Sequence, residues 1–205
     1  MDIDFFEKEL LKINSEDKLA DFCRKLVLHG IPYVFKNKES DYYEFRKKIA
    51  LHFKVSFHEV YITGSGKLGF SPFKKTEFSL DSDIDVAIIS TTLFDSIMLD
   101  ISNFQYNKRD NYEVVSGKEL RMYHDFLEYS AMGWIRPDKL PISFQIKIIK
   151  DNWFNFFEGI SYNKSEVGNY KVAGGVFKSY EHFEAYTING FDNLTKKLKL
   201  RVENE

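Results

Sequence analysis

Asp83 and Asp85 stand one residue apart in the run Ser82-Asp83-Ile84-Asp85-Val86-Ala87-Ile88-Ile89. Alternate residues of a strand share a face, so the two carboxylates point the same way while Ile84, Val86 and Ile88 turn to the interior. Two such charges repel unless a cation stands between them. A hard divalent ion, Mg²⁺ or Mn²⁺, accepts one or two carboxylates and completes its shell with phosphate oxygens and water. Upstream, Val60-Tyr61-Ile62 reads as a short strand that runs into Gly64-Ser65-Gly66. That turn lets backbone N–H groups and a hydroxyl approach phosphate oxygens. The combined chemistry is that of a phosphate-and-metal site, in which nucleotide phosphates and water would complete the shell of the ion. The plain alternative for Asp83 and Asp85 is a solvated strand end.

The elements that must hold these residues are legible on either side. Apolar residues recur at helical spacing from Asp4 to about His29, with a break at Asn14-Ser15-Glu16, where Ser15 caps a second helix that stops near Gly30-Ile31-Pro32. Ser40 to Phe53 is a further amphipathic helix leading into the glycine-serine strand. Gly69 to Asp81 reads as a loop or short helix carrying Lys74 and Lys75. Thr91 or Thr92 caps a helix through Leu93, Phe94, Ile97, Met98 and Ile101, and Leu120 to Ile135 is another. A third strand is expected over Pro141–Ile149, with Ser143, Gln145 and Lys147 on one face. Gly168 to Gly175 gives no clear period. Helical pattern resumes from Phe177 to Arg201, with Asn189-Gly190 as a break point.

With 205 residues, 43% of them hydrophobic, the chain is long enough for one domain with a real core. Its formal net charge of −2 leaves no global pull toward nucleic acid, so any RNA or DNA contact needs a local basic patch such as Lys196 to Arg201. The single cysteine, Cys23, excludes an internal disulfide framework and reads as a buried structural thiol. No stretch approaches the length of a membrane span, so cytoplasmic residence without a membrane partner is the expectation. His29, His52, His58, His124 and His182 are too scattered to suggest a histidine metal site.

Gly64-Ser65 at a strand end, followed by Gly69 and by Ser82-Asp83-Ile84-Asp85-Val86 on the next strand, resembles the nucleotidyltransferase superfamily typified by DNA polymerase β, the minimal nucleotidyltransferases and the bacterial cyclic-oligonucleotide synthases. The matching pieces cover about a fifth of the chain. The resemblance implies an α/β (α+β) fold, a small mixed sheet with helices packed on one side. Residues 55–151 would form the nucleotidyltransferase-like core, with a helical segment 1–54 packed on it and an aromatic-rich, largely helical segment 152–205 completing the same compact unit. It also implies attack by an acceptor on the α-phosphate of a nucleoside triphosphate. Gly64, Ser65 and Gly66 would hold its phosphates, and Asp83 and Asp85 would hold Mg²⁺ as the catalytic pair.

The superfamily commonly adds a third carboxylate on a later strand, and the matching position in the expected strand falls on Gln145. A neutral amide offers a carbonyl oxygen to a metal but is a poor base. Asp81 or Asp151 could replace the charge, one ion could suffice, or the chain binds a nucleotide without turning it over. Lys147, Lys178 and Ser179 are further phosphate candidates, the last also a helix cap. The expected function is Mg²⁺-dependent transfer of a nucleotide to a protein, an RNA end or a small molecule. The alternative is a degenerate nucleotide-binding sensor or partner subunit, and a third class is nucleic-acid binding by the basic C-terminal segment.

Overall fold

The structure, a computed structural model, describes residues 2–111, 116–141 and 147–202. Helix α1 (Ile3–Leu11) is capped by Asp2, and α2 (Glu16–Cys23) by Ser15, whose hydroxyl accepts from the Lys18 backbone. A π-helical turn, Arg24–Leu28, extends α2, and α3 (Glu39–Phe53) follows. Strand β1 (Val60–Thr63) runs straight into the single-turn helix α4 (Gly64–Leu68). The segment expected as a loop or short helix contains a hairpin, β2 (Phe70–Ser71) with β3 (Thr76–Glu77). Then come β4 (Ile84–Ile89), α5 (Thr91–Asn111), α6 (Gly117–Ala131) and β5 (Trp134–Ile135). The chain closes with α7 (Lys147–Gly159), β6 (Val172–Phe177) and α8 (Tyr180–Val202).

The main sheet has the order β1-β4-β6-β5 and is mixed: β4 is antiparallel to β1 and parallel to β6, and β5 is antiparallel to β6. Its two faces carry different residue sets. Val60, Ile62, Ile84, Val86, Ile88, Val172 and Val176 share one core with Phe45 and Ile49 of α3, Phe94 and Ile97 of α5, Phe126 of α6, and Trp153 and Phe157 of α7. Ala87, Ile89 and Phe177 share a second core with Phe6 and Leu10 of α1, Leu19 and Cys23 of α2, and Phe183, Phe191 and Leu194 of α8. Helices therefore cover both faces, where the resemblance implied one. The pattern Asp83-x-Asp85-x-Ala87-x-Ile89 explains the difference. A face that is acidic at one end and apolar at the other needs a covering layer over its apolar end only.

The expected third strand is corrected at its end only, because residues 142–146 lie outside the described residues. Lys147, Ile148 and Ile149 belong to helix α7, and Gln145 lies outside the described residues. The strand beside β4 is β6, so the segment 152–205 supplies part of the sheet. Its two glycines fit large neighbours: a Cβ on Gly174 would stand 2.3 Å from the Phe157 ring, and one on Gly175 2.6 Å from Trp134 Nε1. Asn189-Gly190 does not break α8, which runs unbroken from Tyr180 to Val202. A mid-helix glycine costs about 1 kcal/mol against alanine, less than burial of the flanking Phe183, Phe191 and Leu194 returns. Cys23 is 3% exposed, and burial, reinforced by Glu184, pushes its thiol up to about 12. No described helix is long and apolar enough to cross a membrane.

Candidate nucleotide and metal site

The antiparallel register pairs Thr63 with Asp85, so the end of β1 meets the start of β4 on the uncovered end of the second face. Gly64 turns the chain there with φ +61°, a conformation that disfavours any side chain. A Cβ on Gly64 would stand 2.5 Å from Asp85 Oδ2, so the carboxylate packs directly against the glycine. Glycine is thus required twice, by backbone conformation and by the approach of Asp85. Ser65 follows at the start of α4, and Gly64, Ser65, Asp83 and Asp85 all line one cavity of about 1420 Å³. Gly66 does not join them. It is buried against the opposite core, where a Cβ would meet Ile84 at 3.2 Å.

Electrostatics mark Asp85 as the unusual acid of the pair. Burial, and then the neighbouring Asp83 charge, push its carboxyl up to about 6, against a smaller opposing pull from Lys74, Arg136 and Lys171. Its side chain nonetheless opens to solvent through the cavity, so water screens part of this effect. Asp83 has Lys171 Nζ 3.4 Å from its Oδ2, both side chains being about half exposed at 49% and 55%. Arg136 is committed elsewhere, in a two-pronged pair with Asp138 at 3.2 and 2.8 Å and stacked 5.1 Å from the Trp134 ring and 5.2 Å from Tyr129. Lys67 lines the same cavity but donates at 2.8 Å to the Gly30 carbonyl, and burial draws its ammonium down to about 8.

Two carboxylates facing one cavity fit a single divalent ion whose other ligands are phosphate and water. Among the described residues no group of three or more His, Cys, Asp or Glu side chains is arranged to hold a metal. The neighbouring strand explains why. In the parallel register Asp85 pairs with Ala173, and Lys171 precedes the first pair of the ladder, its carbonyl accepting from Ile84 N at 2.8 Å. An ammonium and a methyl group therefore flank the acids. Asp81 and Asp151 are exposed and do not line the cavity.

Lys178 and Ser179 are not brought to the aspartates. They follow the far end of β6, where Phe177 pairs with Ile89, four residues beyond the Asp85–Ala173 pair. Lys178 Nζ lies 3.1 Å from Asp95 Oδ1, and Ser179 Oγ lies 2.8 Å from His182 Nδ1 and caps α8. Of Lys147 the structure describes only the backbone, at the start of α7. The sequence reading missed Lys171 and Arg136 as neighbours of the acids. The alternation Val172, Gly174, Val176 against Ala173, Gly175, Phe177 was the available signal, masked by the low strand preference of glycine. Comparisons of the chain with protein-family models, with curated proteins and with solved structures found no match.

Proposed function

We propose that the chain binds a nucleoside triphosphate with a divalent ion, Mg²⁺ or Mn²⁺, and transfers its nucleotidyl group to a protein, an RNA end or a small molecule. One observation carries this reading. The glycine-serine corner and the aspartate pair, distant in sequence, meet at one cavity with the Asp85 carboxylate against Gly64. Ser65 would donate its hydroxyl to a phosphate oxygen, and Asp83 with Asp85 would hold the ion. When bound, such an ion neutralises triphosphate charge and acidifies an attacking hydroxyl. The attacking hydroxyl, acidified by the ion, would give its proton to water in the cavity. Lys171, which lines the cavity, adds positive charge for the triphosphate. The acceptor oxygen would form a bond to the α-phosphorus as the bond to pyrophosphate breaks.

A second reading is nucleotide binding without turnover, as a sensor or partner subunit. Lys171 and Ala173 favour it, since they stand beside the acids where another carboxylate would aid transfer. Incubation with labelled nucleoside triphosphates, Mg²⁺ and candidate acceptors is expected to label an acceptor, and Asp83→Ala with Asp85→Ala to abolish labelling. Equal labelling by the double variant would sink transfer at this site. Calorimetric nucleotide binding with no labelling of any acceptor would select the second reading.

A further inference from the structure

The cation beside Asp83 belongs to the protein itself. Lys171 is held in place by its strand: its carbonyl accepts from Ile84 N at 2.8 Å, and Val172 pairs with Ile84 to open the parallel ladder. Its Nζ lies 3.4 Å from Asp83 Oδ2, and both side chains line the cavity that holds Gly64 and Ser65. Its charge also acts on Asp85. A second divalent ion on Asp83 would have to stand against this ammonium at short range, and Ala173 offers it no ligand. A lysine ammonium has three donors, so it can keep a carboxylate and still reach a phosphate or acceptor oxygen.

We infer that Lys171 supplies the second positive charge of the site, so that this chain takes one divalent ion with its nucleotide where a two-metal site takes a pair. The inference rests on the nucleotide reading of the cavity. It makes Lys171 a binding residue whose replacement changes how many metals the site takes.

Electron paramagnetic resonance of Mn²⁺ tests this, with each α,β-methylene ribonucleoside triphosphate supplied in turn and bound Mn²⁺ counted by equilibrium dialysis. Wild type is expected to bind one Mn²⁺ per bound nucleotide, with no Mn–Mn dipolar coupling. Lys171→Glu, which adds a carboxylate beside Asp83, is expected to bind two coupled ions. Lys171→Gln is expected to bind one ion with about 10-fold weaker nucleotide affinity, and Lys171→Arg to restore most of it. Thermal melts verify that each variant is folded, which the half-exposed position favours. Two coupled ions in wild type, or a Lys171→Gln affinity equal to wild type, would overturn the inference and leave nucleotide binding standing. No bound nucleotide and no bound Mn²⁺ in wild type would instead overturn the reading of the cavity on which the inference rests.

Discussion

At the end of β1 the chain passes through Gly64 and Ser65 into α4, and at the end of β6 it passes through Lys178 and Ser179 into α8. Both are strand-to-helix corners with a serine. They differ in what faces them. The first corner lies against Asp85 and opens on the cavity, and among the described residues no hydrogen bond ties up the Ser65 hydroxyl. At the second, Ser179 Oγ sits between the His182 backbone N–H and His182 Nδ1, and Lys178 is paired with Asp95. Local sequence of this kind therefore stays open to a cavity or is taken up by a helix cap according to the strand that lies alongside.

The comparison breaks first at Gly64. Gly64→Ala forces a side chain into positive φ and into Asp85, and it is expected to lower stability by about 1–3 kcal/mol and to remove nucleotide binding. Urea denaturation and calorimetry measure both, and wild-type values in each would show that the corner is not shaped by its acid. Asp85 gives the next effect. Its folded carboxyl at about 6 lies above the ordinary 3.8, so between those values the folded chain holds the extra proton. Stability should then rise as pH falls from 7 through about 6, by under about 1 kcal/mol per pH unit once cavity water screens it. Nucleotide binding with Mg²⁺ should weaken over the same range. Asp85→Asn should flatten the stability profile, and an unchanged slope would remove Asp85 as its source. Ser179→Ala gives the smallest effect, a loss of about 1 kcal/mol from the uncapped helix with nucleotide affinity intact. A loss of nucleotide affinity there would place the second corner in the site as well.

Several elements were legible because their causes are local. The Ser15 cap, the amphipathic α3 and the strands β1 and β4 follow from side-chain period and capping chemistry, and each stands where those rules put it. The third strand was not legible. Pro141–Ile149 alternates well enough to suggest a strand, yet Lys147 onward is helical, while Val172–Phe177, weakened by Gly174 and Gly175, is the strand that pairs with β4. Those glycines make sense only once Phe157 and Trp134 lie against them. The second helical layer was concealed for a related reason, since Ala87 and Ile89 need cover only after α1, α2 and α8 have converged on them.

The sequence by itself determined that Asp83 and Asp85 share a face, because strand side chains repeat every two residues, and that the chain turns sharply at Gly64. Tertiary structure alone decided what stands beside them. Pairing of β4 with β6 joins segments far apart in the chain, and its register sets Ala173 against Asp85 and brings the Lys171 ammonium to Asp83. No local preference encodes that register. It follows from burying Ile84, Val86 and Ile88 with Val172 and Val176 on one face and Ile89 with Phe177 on the other.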